Sequence, residues 1–300
     1  MKRSLLPSTF VARVHNRRGA AVGAPASGFA LAAVLAVGLG VALGACASGD
    51  KATGSPATPE TPTAPDPGPG PAGPGPTVRW FGQSAFLVTT PGGTRVLMDP
   101  IPADLGYVLP PPVEAHVVTI SHEHFDHTNV AMAAGTPEVI RGLTADKNGW
   151  EKVDRTIGDV HVRTVGVYHD GSLGKERGLN AVFVLEFAGW RVAHLGDLGH
   201  LLTAEQIAAI GPLDVLLIPV GGTFTIDADA ATKVVAQLRP RTTIIPMHYK
   251  TPALKPDLPL APVDAFLTGK PKVRHVDGTE LKVAPLPTGA PAEIVVMNYL

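Results

Sequence analysis

Short apolar or β-branched runs recur from Val78 onward and alternate with polar turns, which is the pattern of β-strands. Two pairs of runs, in VTTPGGTRV and LEFAGWRV, are joined by glycine-containing turns and predict hairpins. The run VLLIPV is apolar throughout, which favours a strand buried on both faces. The predicted strands are TVRWF, SAFLVTT, TRVLM, HVVTI, HVRTVGV, AVFVLEF, WRVAHL, LDVLLIPV and RTTIIP.

Segments with helical periodicity are fewer and lie between these strands. The strands with interspersed helices predict one α/β domain with mixed sheets over residues 78–300, and the chain shows no internal repeat. The predicted helices are residues 128–134, TAEQIAAI with Thr203 as its cap, DADAATKVVAQL and PVDAFL.

The segment before this domain, residues 46–77, is dominated by Pro, Gly, Ala and Thr after its first residue. Almost no large apolar side chain is present, so the segment cannot bury enough surface to offset the entropy lost on folding. The composition therefore predicts a disordered, extended linker.

Residues 1–45 combine basic and apolar stretches in the order found in export signals. Five basic residues and no acidic ones precede the apolar run GFALAAVLAVGLGVALGA, and the run ends at Cys46, the only cysteine of the chain. The ending LGAC resembles the lipobox of bacterial lipoproteins, so we expect cleavage before Cys46 and lipidation of its thiol. An uncleaved membrane-spanning helix is the alternative, which the many glycines and alanines fit poorly.

This interpretation predicts an exported protein that a lipid holds to a membrane, on the periplasmic or cell-surface side, with the export route left open. Removal of the five basic residues of the signal leaves 20 Lys and Arg against 26 Asp and Glu, a net charge of −6. Such a charge argues against a basic surface for nucleic acids. With Cys46 acylated, the chain has no thiolate for a metal ion or for nucleophilic attack.

Residues of the types that bind metal ions follow the carboxyl ends of four predicted strands, where sheet proteins bind ligands. His122 and His124 are two positions apart and point to the same side of an extended backbone, whereas Asp126 and His127 come where the chain turns. The full set is His122, His124, Asp126, His127, His169, Asp197 and His248.

Five imidazoles and two carboxylates form a ligand set that suits Zn²⁺, with Mn²⁺ or Fe²⁺ as alternatives. Any one of these histidines alone would more often be a core or surface residue. Seven ligands are too many for one tetrahedral ion, but they suit two ions that share a bridging carboxylate and a water molecule. The sequence thus predicts a dinuclear metal site.

The motif His-x-His-x-Asp-His at residues 122–127 resembles the signature of the metallo-β-lactamase superfamily. The blocks WFGQSAFLV, VLMDP, GWRVAHLGD, LLIPVGGTFTID and PMHY are similar to those of the subgroup that includes L-ascorbate-6-phosphate lactonase-like proteins. The resemblance implies an αββα sandwich of two mixed sheets with helices outside. It also implies that His122, His124 and His169 hold one metal ion, that Asp126, His127 and His248 hold the other, and that Asp197 bridges them.

The resemblance implies a hydrolase in which a metal-bound hydroxide attacks a small ester or lactone, with Asp126 as a catalytic residue that orients it. A phosphodiesterase of the same fold and a non-catalytic metal-binding protein are the alternatives. Relatives often have histidine where this chain has Gln83, so a role of that position is not implied here. Some antibiotic-degrading members bind zinc through a thiolate. That zinc arrangement cannot form in this chain, because no cysteine lies near Asp197.

Further residues near the predicted ligands are candidates for orienting them or for contacting a small-molecule substrate. His194 and His200 flank Asp197 in sequence, and Arg177 and Asn180 belong to a polar loop that follows His169. Thr223 and Phe224 are the remaining candidates, in a loop between a buried strand and a helix.

Overall fold

The structure is a computed structural model that describes residues 62–66 and 68–299. The predicted signal (residues 1–45), Cys46 and residues 47–61 of the predicted linker lie outside the described residues. Within the described ranges, no helix combines the length and apolar character needed to span a membrane.

The described residues contain sixteen strands. They are β1 (Thr77–Trp80), β2 (Phe86–Thr89), β3 (Arg95–Met98), β4 (Val113–Glu114), β5 (Val117–Ile120), β6 (Ala133–Ala134), β7 (Glu138–Arg141), β8 (Asp154–Ile157), β9 (Val160–Tyr168), β10 (Leu179–Phe187), β11 (Trp190–His194), β12 (Val215–Pro219), β13 (Thr243–Met247), β14 (Val273–Val276), β15 (Glu280–Lys282) and β16 (Glu293–Met297).

The described residues contain three α-helices: α1 (Ala204–Ile210), α2 (Ala228–Leu238) and α3 (Asp264–Leu267). The predicted cap of α1 is confirmed: the Thr203 side chain accepts from the Gln206 N–H, and the Gln206 side chain accepts from the Thr203 N–H. The Asp227 side chain caps α2 by accepting from the Ala230 N–H. Short 3-10 turns lie at Ala103–Leu105, Phe125–His127 and Val130–Met132.

The strands form two large mixed sheets and one two-stranded sheet of β4 and β6. The first sheet has the order β15-β1-β2-β3-β5-β7 and the second has the order β14-β16-β13-β12-β11-β10-β9-β8. Each of the two large sheets joins an antiparallel half to a parallel half. The predicted hairpins β2-β3 and β10-β11 are confirmed. The prediction of an α/β fold with mixed sheets is therefore correct.

The larger apolar core contains side chains from both large sheets, among them Trp80 and Phe86 of the first sheet and Phe183 of the second. The apolar side of α2, represented by Val234 and Leu238, belongs to the same core. A smaller core collects Leu97, Val118 and Ile120, which alternate along β3 and β5 with members of the larger core. The first sheet is thus buried on both faces, which agrees with its apolar strands.

The helix predicted at residues 128–134 does not form. Its place is taken by the 3-10 turn Val130–Met132 and by β6, which pairs with β4. The Asn129 N–H donates to the Pro100 carbonyl at 2.9 Å, and the Asn129 side-chain amide donates to the Ile101 carbonyl at 2.8 Å. These tertiary hydrogen bonds replace the i to i−4 bonds that a helix would need.

The second half of the predicted linker is not disordered in this structure. Ala64 is buried in the larger core, and its N–H donates to the Gln237 carbonyl of α2 at 2.6 Å. The Pro76 carbonyl accepts from the Val283 N–H at 2.9 Å. These contacts correct the linker prediction for residues 62–66 and 68–77, and β1 itself begins one residue before the predicted boundary.

The packing of this segment can be tested at Gly75. A Cβ atom there would lie 2.4 Å from the Val283 carbonyl oxygen and 2.8 Å from the Trp190 ring, whereas a Cβ at Gly73 would meet nothing within 4 Å. Neither glycine has positive φ, so backbone strain does not distinguish them. We expect Gly75→Ala to lower the free energy of unfolding by about 1–3 kcal/mol and Gly73→Ala to change it by less than about 0.5 kcal/mol.

Denaturant unfolding followed by circular dichroism measures both variants. Equal stability of Gly75→Ala and Gly73→Ala would show that residues before β1 do not pack on the domain.

Candidate metal centre

The structure brings all seven predicted metal-binding residues together at one edge of the two sheets. His122 and His124 follow β5 of the first sheet, and the 3-10 turn Phe125–His127 supplies Asp126 and His127. His169, Asp197 and His248 follow β9, β11 and β13 of the second sheet. These three strands run in the same direction, so their carboxyl ends meet at the same edge.

Among the described residues, three groups of three have ligand atoms close enough to hold a metal ion. One of them, Asp99, His122 and His127, shares a histidine with each of the other two. The ligand atoms of His122, His124 and His169 lie within 4.8 Å of one another, and those of Asp126, His127 and His248 do so as well. This division is the one that the family resemblance implies. His124 is exposed and Asp126 is half-buried, whereas the other four are buried, so the centre opens to solvent on one side.

The Asp197 carboxylate lies between the two groups. Its Oδ2 atom is 3.8 Å from His122 Nε2 and 3.2 Å from His169 Nε2 on one side. On the other side it is 3.3 Å from both His127 Nε2 and His248 Nε2. One carboxylate oxygen therefore faces four imidazole nitrogens, two from each group.

Buried polar atoms in this cluster lack hydrogen bonds. Among the described residues, His127 Nε2 and Asp197 Oδ1 have no hydrogen-bond partner, although both residues are almost completely buried. Leaving such atoms unpaired costs about 1–3 kcal/mol each, and a cation would remove that cost for a nitrogen lone pair or a carboxylate oxygen. The donor set and these atoms fit divalent metal ions.

The electrostatics of the first group favour neutral imidazoles. Burial and the neighbouring His127 hold the pKa of His122 well below its usual range. Burial and the neighbouring His169 lower the pKa of His124. Because a neutral imidazole has a free lone pair, both side chains are in the state that binds metal ions at neutral pH.

The carboxylates of the centre are ionised. Burial alone would raise the pKa of Asp126, but the neighbouring His127 outweighs it and lowers the pKa to about 2. Burial likewise opposes ionisation of Asp197, yet His248 and His127 hold its pKa well below the usual range. The same two carboxylates raise the pKa of His127 and of His248 against the effect of burial. The two carboxylates are thus negative groups that a cation can neutralise.

Asp99 supports the centre and was not among the predicted site residues. It follows β3 and is buried, its Oδ1 accepts from the Ser121 N–H at 2.7 Å, and its Oδ2 accepts from the Ser121 hydroxyl at 2.6 Å. Asp99 Oδ2 also lies 2.9 Å from His127 Nδ1. A carboxylate at this nitrogen fixes the ring orientation and leaves Nε2 directed at Asp197. The sequence signal was an aspartate at the end of a buried strand, in the block VLMDP.

Three residues near the centre have strained backbone. Gln83, Asp99 and His248 all have positive φ, of 48°, 44° and 51°. Non-glycine residues in this region cost of order 1–3 kcal/mol each and persist where the surroundings fix them. The Gln83 carbonyl accepts from the His248 N–H at 3.2 Å, which joins two of these residues directly.

The predicted supporting residues His194 and His200 orient backbone near the ligands. His194 Nε2 donates to the Ser84 carbonyl at 2.8 Å, and its Nδ1 accepts from the Gly196 N–H at 3.0 Å, beside Asp197. His200 Nε2 accepts from the Tyr168 N–H at 3.0 Å, beside His169. Both rings therefore act on the loops that present ligands.

Asn180 does not contact substrate, because its side chain is fully buried. Its Oδ1 accepts from the Asp197 N–H at 3.2 Å, and its Nδ2 donates to the Leu195 carbonyl at 2.8 Å. Gly196 completes this turn, since a Cβ atom there would lie 2.3 Å from Asn180 Oδ1 and its φ is +53°. Asn180 is thus a positioning residue for the Asp197 loop.

A cavity of about 270 Å³ opens onto the centre. Leu105, Leu258 and Leu260 line it beside the ligands, and Phe224 lies on its wall. Thr223 does not line it, because the Thr223 hydroxyl donates to the Pro259 carbonyl at 2.6 Å. The cavity has the size of a small-molecule site.

Gln83 also lines this cavity, and its Oε1 atom is buried without a hydrogen-bond partner among the described residues. Its side chain is 3% exposed, so only a molecule inside the cavity could reach this amide. Glu123, by contrast, is paired with Arg141 at 2.6 Å and is not directed at the centre.

Comparison with known proteins places this geometry in a family. Residues 77–248 match the family model described as a beta-lactamase superfamily domain. A UPF0173 metal-dependent hydrolase from Anaeromyxobacter sp. (strain K) is 32% identical over 236 residues, which cover 67% of this chain and 84% of that protein. One from Thermococcus onnurineus is 31% identical over 194 residues, covering 58% of this chain and 84% of that protein.

The fold is similar to that of solved structures. A Thermotoga maritima protein of the metallo-β-lactamase superfamily is 34% identical, with a TM-score of 0.58 over 74% of this chain and 100% of that chain. The family model, which matches residues 77–248, covers the strands that carry the centre. The fold is thus that of the metallo-β-lactamases, and the chain belongs to this superfamily, in the family of UPF0173 metal-dependent hydrolases.

Removal of the Asp99 carboxylate tests how the centre is oriented. In Asp99→Asn, the amide N–H donors would replace a carboxylate oxygen that now faces the Ser121 hydroxyl and His127 Nδ1. We expect the zinc affinity to fall about 10–100-fold, as for other residues that orient metal-binding histidines. Competition with a chromophoric chelator measures this affinity.

Asp159→Asn is the matched control, because the Asp159 carboxylate accepts from the Thr90 hydroxyl at 2.8 Å and contacts none of the seven residues. An unchanged zinc affinity in a folded Asp99→Asn protein would contradict the role given to Asp99.

Proposed function

We propose that this hydrolase binds two divalent metal ions, most suitably Zn²⁺, and cleaves a small ester or lactone. The single observation that supports the proposal best is the position of Asp197 Oδ2, within 3.2–3.8 Å of two histidines from each ligand group. His122, His124 and His169 would hold one ion, and Asp126, His127 and His248 the other. Imidazole nitrogen and carboxylate oxygen suit zinc, and the described site contains no sulfur ligand.

Two ions held in this way would act as Lewis acids and would lower the pKa of a water molecule toward about 7. The chain itself contributes orientation and charge. Asp126 is half-buried, lines the cavity and remains ionised, so it can accept a hydrogen bond from the attacking water. The carboxylate would therefore orient the nucleophile toward a carbonyl carbon in the cavity.

The cavity walls support a small substrate with an apolar portion. Leu105, Phe224, Leu258 and Leu260 surround the approach to Asp126 and Asp197. Apolar walls displace water and strengthen electrostatic interactions near the reacting bond. A volume of about 270 Å³ limits the portion of the substrate that can be enclosed to a small molecule.

A phosphodiesterase is the second candidate function. The observation that favours it is the guanidinium of Arg177, which lines the same cavity. A phosphodiester carries a negative charge that guanidinium binds well. The relative turnover of bis-p-nitrophenyl phosphate and of a neutral lactone would separate the two candidates.

The central test is the replacement of Asp197. We expect wild-type protein to contain two metal ions per chain, whereas Asp197→Asn should lose at least one ion and reduce kcat/KM by roughly 10³-fold or more, since the lost stabilisation is worth several kcal/mol. Plasma mass spectrometry measures the metal, and a panel of esters and lactones measures activity. Asp264→Asn, in the first turn of α3, is the control.

A folded Asp197→Asn protein with full metal content and full activity would contradict the proposed site. Metal-containing wild-type protein that hydrolyses phosphodiesters but no ester or lactone would favour the second candidate.

We further propose that the protein is exported as a lipoprotein, with residues 1–45 as the signal and Cys46 as the lipidated residue. The support is the apolar run that ends at the sole cysteine. We expect wild-type protein to incorporate a labelled fatty acid and to fractionate with membranes, and Cys46→Ser to lose both properties. Labelling of Cys46→Ser at the wild-type level would contradict lipidation at this residue.

A further inference from the structure

Arg177 lies between two cavities beside the candidate metal centre. It lines the cavity of about 270 Å³ together with Asp126 and His169. It also lines a second cavity of about 190 Å³, together with His124 and Lys147. A ligand at the metal centre that extended toward solvent here would pass Arg177.

The loop that follows His169 holds the backbone of Arg177 rigidly. The Asp170 carboxylate accepts from four backbone N–H groups: its Oδ2 accepts from Arg177 at 2.7 Å and from Glu176 at 3.1 Å. Its Oδ1 accepts from Ser172 and Gly174. Asp170 comes directly after a predicted metal ligand, so the distance from the centre to the Arg177 backbone is fixed.

The side chain of Arg177 is fixed as well, but most of its donors are free. Its Cζ atom lies 4.9 Å from the centre of the Phe224 ring, and Nη2 donates to the Thr223 carbonyl at 3.1 Å. Among the described residues, no carboxylate forms an ion pair with Arg177. Guanidinium has five N–H donors in a planar fork, so the group can still bind a planar or tetrahedral anion with two hydrogen bonds.

Other charges around Arg177 leave the second cavity positive. Lys147 is exposed there, and Glu123, the acidic residue that lines this cavity, is already paired with Arg141. A half-buried guanidinium without a counter-ion has lost part of its hydration on the cavity wall. Hydrogen bonds and charge from a bound anion would compensate for that loss.

We propose that Arg177 is the anion-recognition residue of this site, so that the substrate carries a carboxylate or phosphate group beside the bond that is hydrolysed. The proposal rests on the proposed function, since it places that bond at the candidate metal centre. Phe224 packs against the guanidinium and holds it toward the cavity. Arg177 therefore determines specificity, separately from the metal-binding residues.

Calorimetric titration of zinc-loaded protein with inorganic phosphate and with benzoate tests the proposal, with benzamide as the neutral match for benzoate. We expect Arg177→Met to raise the Kd of at least one anion about tenfold or more, as loss of a charge-assisted hydrogen bond requires, and to leave benzamide binding unchanged. Lys233→Met, on the exposed side of α2, should behave as wild type. The anion that is more affected identifies the substrate group.

Metal content is measured in the same samples. If zinc is bound and both anions keep their wild-type Kd in Arg177→Met, the anion proposal is wrong and the proposed metal site stands. If the wild type binds no zinc, the proposed function fails and this inference fails with it. Should Arg177→Met not fold, Arg177→Gln also removes the charge. A Kd for both anions in Arg177→Gln equal to that of the wild type would likewise overturn the proposal.

Discussion

A buried carboxylate surrounded by imidazoles is the constraint on which the site depends. Asp197 is 2% exposed, and its Oδ2 atom faces four histidine side chains. An ionised carboxylate in such a place loses solvation that costs several kcal/mol unless positive charge replaces it. His127 and His248 supply part of that charge when protonated, and metal ions would supply it in full. The same interaction therefore explains both the pKa shifts and the fit of the site to cations.

The fold holds this carboxylate in place through backbone contacts rather than through the ligands alone. Asn180 on β10 accepts from the Asp197 N–H, and His194 on β11 accepts from the Gly196 N–H. On the opposite sheet, Asp99 fixes Ser121 and His127. Each of the two sheets thus holds one half of the site rigidly, because its strands end at the same edge. The positions of the ligands therefore depend little on the longer loops.

The ligands could be predicted from sequence because each follows the carboxyl end of an apolar strand, a local pattern. Asp99 also follows a buried strand, but its supporting role was missed because it depends on the pairing of β3 with β5, which brings Asp99 to Ser121 and His127. The outermost strands β7, β8, β14 and β15 were also missed, because edge strands are exposed and lack the apolar pattern. The interior strand β16 was missed as well, although it is apolar and buried. The docking of Ala64 and the loss of the helix at residues 128–134 depend on tertiary hydrogen bonds that composition does not reveal.

The proposed arrangement places one cation on each side of Asp197. Anomalous diffraction from a crystal of zinc-loaded protein, recorded on both sides of the zinc absorption edge, locates such ions. We expect two anomalous peaks, one among His122, His124 and His169 and one among Asp126, His127 and His248, with Asp197 between them. Absence of both peaks from a crystal of fully loaded protein, or zinc bound only elsewhere on the surface, would contradict the proposed arrangement.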